Sequence, residues 1–338
     1  MSNIVDKGIS GLHNLGNTCF MNSALQCFSH MDELDKYFNK KYIKNEQDSE
    51  LINEWIELKE ILWNENCVVA PKKFLFNIHK LARKKNREIF TGYAQNDLPE
   101  FVMFMIESFH DAMKRPVEMN IKGKSVNSTD DIAINAYSTI KTLYEKEYSE
   151  ILNTFYGINI TRIYEMNTNN IIKIISEPYF IIHLPIPKLE RVNIYDCFDL
   201  FIDKEKMIDD NKWYNDKTKT YEEVEKDMVF FNFPDVICIN FKRFDNQLRK
   251  NNSVIDFPLD NLNLSKYVDG YNKNDYKYDL FAVCNHSGTI MGGHYTSFIR
   301  PKLSDKWYHF NDNKIQLINK NDIVTRMSYC LFYRKKKI

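Results

Sequence analysis

A cysteine, a histidine and an asparagine–aspartate pair, each set in its own run of neighbours, are the residues of this chain best placed for covalent chemistry. The first run is Gly11-Leu12-His13-Asn14-Leu15-Gly16-Asn17-Thr18-Cys19-Phe20-Met21-Asn22-Ser23. Its glycines permit a tight backbone, and Asn17 or Thr18 can cap a helix that begins near Cys19. A thiol at a helix N-terminus faces free N–H groups and the positive end of the dipole, which favours the nucleophilic thiolate. Asn14, five residues before the thiol, offers an amide donor that can face a developing oxyanion. A lone cysteine in such a run more often marks a capped helix with a small buried thiol, so the run needs company.

The second run, Tyr278 to Tyr295 (YDLFAVCNHSGTIMGGHY), reads as a strand, a glycine-bearing loop, and His294 at the start of the next strand. A histidine on a rigid strand beside a flexible loop suits a base that meets an extended substrate. A plain hairpin turning at Gly292-Gly293 would account for the same residues. The third run is Trp307-Tyr308-His309-Phe310-Asn311-Asp312-Asn313. In a strand Trp307, His309 and Asn311 share one face, so Asn311 can reach His294 from an adjacent strand. Taken alone, the run is better explained as a strand ending in an Asn-Asp-Asn turn. Together, Cys, then a distant His, then Asn or Asp is the order of a papain-type Cys-His-Asn site.

Positioning these groups takes a helix for Cys19 and neighbouring strands for His294 and Asn311. The sequence supplies both. Phe20, Ala24, Phe28 and Met31 recur at helical spacing, as do Phe101, Met105 and Phe109 beside Val102 and Ile106. Helical patterning extends to about residue 155, interrupted by a polar, loop-like stretch from about 112 to 130. Beyond it come strand-like runs: IIKIIS, YFIIHLPI, VICINFKRF, YDLFAVCNH, HYTSFIRP, WYHFND and SYCLFYRK. The stretch from 203 to 227 is strand-poor and reads as an excursion from the sheet. The expected fold class is α+β, a helical lobe followed by a largely antiparallel sheet, with the site between them.

Composition narrows the classes of function. The 338 residues are 43% hydrophobic, enough for a substantial core, and 46 basic residues balance 46 acidic ones. That balance argues against non-specific nucleic-acid binding, and the basic run Lys80 to Lys85 reads as a solvated helix face. No apolar stretch approaches a membrane span, and the opening MSNIVDKGIS lacks the core of a secretory signal. The seven cysteines are scattered and never spaced C-x-x-C, which fits a reducing compartment and excludes a zinc ribbon. The expectation is an intracellular, soluble protein, cytoplasmic or nuclear, acting as a monomer without membrane or nucleic-acid partners.

The three runs resemble the Cys box, His box and terminal aromatic-Asn/Asp motif of the ubiquitin-specific proteases. The family's GLxNxGNTCxMNS is matched from Gly11 to Ser23, and its HxGxxxxGHY from His286 to Tyr295. Gln95-Asn96-Asp97-Leu98-Pro99-Glu100-Phe101 resembles QQDAxEF, with Asn96 and Leu98 departing from it. Glu177 to Ile186 and Phe233 to Phe244 resemble two further family strands, and Phe257-Pro258-Leu259 and Leu264 to Tyr267 follow in order. The resemblance covers about residues 8 to 335. It implies a papain-like fold in one catalytic domain: a helical thumb (about 8–150), β fingers (about 151–182 and 198–228) and an antiparallel β palm (about 183–197 and 229–335).

The activity implied is a deubiquitinating thiol protease, with ubiquitin and ubiquitinated proteins as partners and no cofactor. Cys19 would be the nucleophile, His294 the base, Asn311 its orienting partner and Asn14 the oxyanion donor, with Asp312 a second partner for His294 or Asn14. Gln95, Asp97 and Glu100 would meet ubiquitin's arginine-rich tail. Phe244, His286 and Tyr295 would wall the channel, and Gly292 and Gly293 would let a diglycine tail approach closely. Asp97 and Glu100 also stand at capping-box spacing. A catalytically inactive ubiquitin-binding adaptor, or the same chemistry on another ubiquitin-like modifier, is the alternative.

Many members of that family carry two C-x-x-C pairs that hold zinc at the fingertips. Here the corresponding stretches, Tyr164 to Asn167 and Asp216 to Lys219, contain no cysteine, so the fingers must be held by packing and hydrogen bonds. Elemental analysis of the purified protein is expected to find no stoichiometric zinc. One tightly bound zinc per chain would contradict this reading.

Overall fold

The computed structural model describes residues 6–336 except 39–41, 46, 47, 190, 272 and 303. Residues 1–5 of the opening segment, and Lys337 and Ile338, lie outside the described residues. The chain begins with a short strand, β1 (Gly11–Leu12), and then enters α1 (Cys19–Ser29), every residue of which is buried. Helices α2 (Glu50–Asn64), α3 (Lys72–Lys84) and α4 (Leu98–Met113) complete a helical lobe. Between α2 and α3, β2 (Val68–Val69) pairs in parallel with β1. Phe28, Trp55, Phe74 and Phe109 meet edge-on inside this lobe. The aromatic positions read at helical spacing thus form its core, an arrangement favoured by ring quadrupoles.

From Gly157 the structure is mostly strand. A four-stranded antiparallel sheet joins β3 (Gly157–Glu165), β4 (Ile171–Tyr179), β6 (Glu205–Met207) and β9 (Val224–Asn232) in the order β4-β3-β9-β6. The main sheet joins β5 (Ile181–Leu184), β10 (Val236–Phe241), β12 (Lys277–Thr289), β13 (Gly292–Ile299), β14 (Trp307–Asn311), β15 (Lys314–Ile318) and β16 (Ser328–Lys335). A short β11 (Leu262–Asn263) pairs with β12. The order is β15-β14-β13-β12-β16-β10-β5, antiparallel except for the β10–β5 pair.

Both faces of this sheet are covered, which is why its central strands read as continuous apolar runs. Cys238, Cys330 and Phe332 face the helical lobe, while Ile239, Leu331 and Tyr333 face a second core closed by α6 (Ile194–Ile202). That helix interrupts a region whose texture reads as strand. Asn193 starts it, its side chain accepting from Tyr195 N–H while Asp196 accepts from Asn193 N–H. Helix α5 (Ser128–Glu147) follows the polar stretch and packs Ile132, Ala133 and Ala136 on Ile158, Ile160 and Phe231 of the four-stranded sheet. Residues 203–227 do leave the main sheet, forming β6 and a hairpin of β7 (Trp213–Asn215) and β8 (Thr220–Glu222).

The outer end of the four-stranded sheet is tied by side chains. Lys173 on β4 pairs with Asp216 at 3.3 Å and lies over the Trp213 ring at 5.6 Å. Closer in, Arg162 grips Asp227 through two hydrogen bonds, 2.8 and 2.7 Å, reaches Asp269 at 2.7 Å, and Tyr164 donates to Asp227 at 2.9 Å. Planar, bidentate pairing suits guanidinium, and the partly buried setting makes loss of one partner costly. Asp227→Ala is expected to lower unfolding free energy by about 2–3 kcal/mol in chemical denaturation. A change within experimental error would show that Asp269 alone satisfies Arg162.

Candidate active site

Cys19 opens α1 and is only 3% exposed. The loop before it is tied by Asn14, whose side-chain oxygen accepts from Gly16 N–H and Thr18 N–H, each at 3.1 Å. The expected side-chain cap is not what forms. Thr18 Oγ1 is engaged by Leu15 N–H at 2.8 Å, and Asn17, in the left-handed region at φ 56°, turns its amide to Tyr93 O at 3.0 Å. No side chain caps α1. Its first N–H groups stay open around the sulfur, where the backbones of Phe20 and Tyr295 both favour thiolate. Burial nevertheless outweighs them, and with the Asp312 carboxylate it pushes the thiol's pKa up. The thiolate expected from helix position alone is therefore not the resting state.

The contact between Cys19 and the Tyr295 backbone brings the thiol beside His294 on β13. Ser297 lies opposite Phe310 and Phe298 opposite His309, which puts Asn311 on the His294 side of the hairpin. His294 Nε2 lies 2.8 Å from Asn311 Oδ1. An amide oxygen only accepts, so Nε2 carries a proton, and Nδ1 is the nitrogen left to exchange one with a thiol.

Asp312 turns the other way, at φ 51°. Its carboxylate accepts from Asn14 Nδ2 at 3.1 Å and from Asn22 Nδ2 at 2.8 Å, and its backbone oxygen accepts from Leu12 N–H at 3.0 Å. Of its two possible partners, the geometry gives Asp312 to Asn14. Gly11 is required here, since a Cβ would sit 2.9 Å from Asn313 backbone. Asn14, held at both ends of its amide, retains one unused N–H.

The remaining residues meet where the start of α4 and the segment before it face β13. Gln95 Nε2 donates to Gly293 O at 2.9 Å, and Gly293 N–H donates to Gln95 Oε1 at 2.7 Å. Gly293 admits no side chain, because a Cβ would lie 2.3 Å from His286 Nε2. Gly292 is partly exposed beside Gln95. The His286 ring packs on Tyr295 and Phe244. Tyr295 and Tyr329 both donate to Asp97 Oδ1, at 3.0 and 3.1 Å. The capping box expected of Asp97 and Glu100 is absent: the Asp97 side chain caps nothing and Glu100 is exposed. Pro99 removes one of the two N–H groups that a cap could bond, and the tyrosine hydroxyls take the carboxylate instead. Burial raises the Asp97 carboxyl's pKa, opposed by those two hydroxyls.

Sequence reasoning missed Asn22 and Tyr329, which hold Asp312 and Asp97. Asn22 had a signal, one helical turn after Cys19 on the same face; Tyr329 had none. Among the described residues, no group of three or more His, Cys, Asp or Glu could hold a metal ion, and no helix is long and apolar enough to cross a membrane.

A thiol at a helix start, an imidazole on a facing strand and an amide behind it define a cysteine-hydrolase arrangement. Residues 10–333 match the ubiquitin carboxyl-terminal hydrolase family, and the chain belongs to that family. It is 28% identical to ubiquitin carboxyl-terminal hydrolase Usp2 of Drosophila melanogaster over 97% of this chain and 35% of the relative. To human ubiquitin carboxyl-terminal hydrolase 2 it is 31% identical, over 97% of this chain and 55% of the relative. The chain thus spans about a third to just over half the length of these relatives. The fold is shared with Ubp8 in the SAGA DUB module bound to monoubiquitin, with TM-score 0.73 and 23% identity over 98% of this chain and 70% of that one.

The seven cysteines are all free, and only Cys67 is not buried. In the free protein, iodoacetamide at neutral pH is expected to modify Cys67 ahead of Cys19, as read by peptide mass spectrometry, because Cys19 is buried with a raised thiol pKa. Labelling of Cys19 first would show a thiolate already formed at rest.

Proposed function

We propose that the chain is a cysteine-type ubiquitinyl hydrolase that cleaves the isopeptide or peptide bond after the C-terminal glycine of ubiquitin. The observation that carries this reading is the His294–Asn311 hydrogen bond, 2.8 Å, beside a cysteine whose sulfur meets the next residue's backbone. Membership of the hydrolase family supports it.

In the forward step the Cys19 sulfur attacks the glycyl carbonyl as its proton passes to His294 Nδ1. Asn311 Oδ1 accepts from Nε2–H and steadies the imidazolium. The carbonyl electron pair moves onto oxygen, where the unused N–H of Asn14 and the open N–H groups at the start of α1 stabilise it. Collapse expels the lysine amine, which takes the proton from His294, and leaves a thioester on Cys19. Water, deprotonated by His294, then releases the ubiquitin carboxylate and restores the thiol. A thiol with a raised pKa makes this paired transfer necessary, because little thiolate stands ready at neutral pH.

Asp97, partly exposed and holding the two tyrosine hydroxyls through Oδ1, forms with exposed Glu100 an acidic approach suited to arginines of the tail. Gln95, Gly292 and Gly293 border the channel for that tail, and Phe244, His286 and Tyr295 wall it. In this reading residues about 8–150 act as thumb, the four-stranded sheet belongs to the fingers, and the main sheet is the palm. Free cysteines throughout fit an intracellular enzyme.

Cys19→Ala is expected to abolish cleavage of ubiquitin substrates while leaving binding intact, and Asn14→Ala to lower kcat by roughly 10² to 10³. The deciding measurement is reaction with ubiquitin bearing a C-terminal electrophile. Covalent capture at Cys19 is the expected result, whereas tight binding without capture would make the chain an adaptor.

A further inference from the structure

His286 stands beside Gly293 with 4% of its surface exposed. Its ring meets Tyr295, Tyr329 and Phe244 at centroid distances of 4.7, 5.5 and 5.8 Å. Its polar partner lies on a different segment. Lys250 Nζ donates to His286 O at 2.7 Å, stands 3.1 Å from His286 Nδ1, and reaches Gly288 O at 3.5 Å. An ammonium only donates, so Nδ1 accepts and the ring proton sits on Nε2. Nε2 is the atom that a Cβ on Gly293 would strike at 2.3 Å.

We infer that Lys250 is a positioning residue that fixes His286 as its neutral Nε2–H tautomer and so presents a single N–H donor, over Gly293, to a backbone carbonyl of the incoming tail. The inference rests on the reading of this region as the channel for ubiquitin's tail. It assigns a task to a lysine outside every motif considered above.

Lys250 is held from behind. Arg243, 1% exposed, donates to Asn251 O at 2.9 Å, Ser253 O at 3.0 Å and Ser328 O at 2.7 Å. These bonds fix the loop that carries Lys250, and the ammonium lies 5.8 Å over the Phe244 ring. Burial and Arg243 lower the Lys250 pKa, and its Nζ stands among three acceptors, His286 Nδ1, His286 O and Gly288 O.

The groups facing His286 are Lys250 from its loop, Tyr295 from β13 and Tyr329 from β16. Both hydroxyls are committed to Asp97, behind them. Among the described residues no carboxylate bonds to the His286 ring, so nothing offsets the ammonium. Burial first and Lys250 second hold the imidazole's pKa down to about 4. The ring therefore stays neutral through the working range of a neutral-pH enzyme, and its donor does not move between nitrogens. Without Lys250, both tautomers become available and protonation becomes easier.

The test pairs a spectrum with kinetics. In the wild-type protein, ¹⁵N-histidine spectra are expected to show His286 protonated at Nε2 only, unchanged between about pH 5 and 8. Nδ1–H or imidazolium at neutral pH would overturn the assignment even if no variant folds. In K250M, KM for a ubiquitin substrate is expected to rise roughly 3- to 10-fold with kcat nearly unchanged. That rise should grow below about pH 6.5, where a released histidine takes up a proton. Wild-type KM at every pH in K250M would refute the positioning role. Failure of the wild-type protein to cleave any ubiquitin substrate would instead remove the functional reading, while the spectrum would still decide the tautomer.

Discussion

The carboxylate of Asp312 joins two parts of the chain that are nearly 300 residues apart, and the geometry around Cys19 depends on that junction. It accepts from Asn14 and Asn22 together, so the loop before Cys19 and the first turn of its helix are referenced to one rigid point at the end of β14. The cost is electrostatic: a negative charge near Cys19 works against thiolate. What the carboxylate contributes is orientation, because the Asn14 amide is bound at its oxygen and at one hydrogen and has no freedom to flip. A donor fixed before charge develops needs no reorganisation when the charge appears.

The same hairpin separates two tasks that adjacent residues could have confused. Asn311, the last residue of β14, serves His294, while Asp312 leaves the strand in the left-handed region and turns to the Cys19 loop. Register in the main sheet holds this division, and burial of both sheet faces holds the register. A slip of one residue would exchange the two partners and turn apolar strands such as β10 inside out.

Much of this was legible in the sequence, and what was legible was local. Cys19, His294 and Asn311 stand in runs whose residue types announce a helix start, a glycine-bearing loop and a strand end. The helical lobe followed from the spacing of Phe101, Met105 and Phe109. What escaped was set by distance or by mixed pattern. Asp97 looked like a cap because Glu100 is three residues away, while the tyrosines that take its carboxylate come from β13 and β16. Helix α6 lies in an apolar run amid strands, and only Asn193 and Asp196 mark it. Strands β3 and β9 bury Arg162 and Asp227, which dilutes the alternation that would have shown them. The pairing of Lys250 with His286 joins a loop to β12 and has no signature in either.

The reciprocal bonds between Gln95 and Gly293 bear on how an extended ligand is accepted. A primary amide offers one donor and one acceptor side by side, as a peptide unit does, so Gln95 occupies the edge of β13 in the manner of a single residue of a missing strand. A peptide laid along that edge would replace this surrogate bond for bond, and the exchange is close to neutral in hydrogen bonding. Net attraction must then arise away from the edge, from broad surfaces that a short free peptide does not possess. An extended ligand would thus meet, at Gly293, an edge whose donor and acceptor are already occupied.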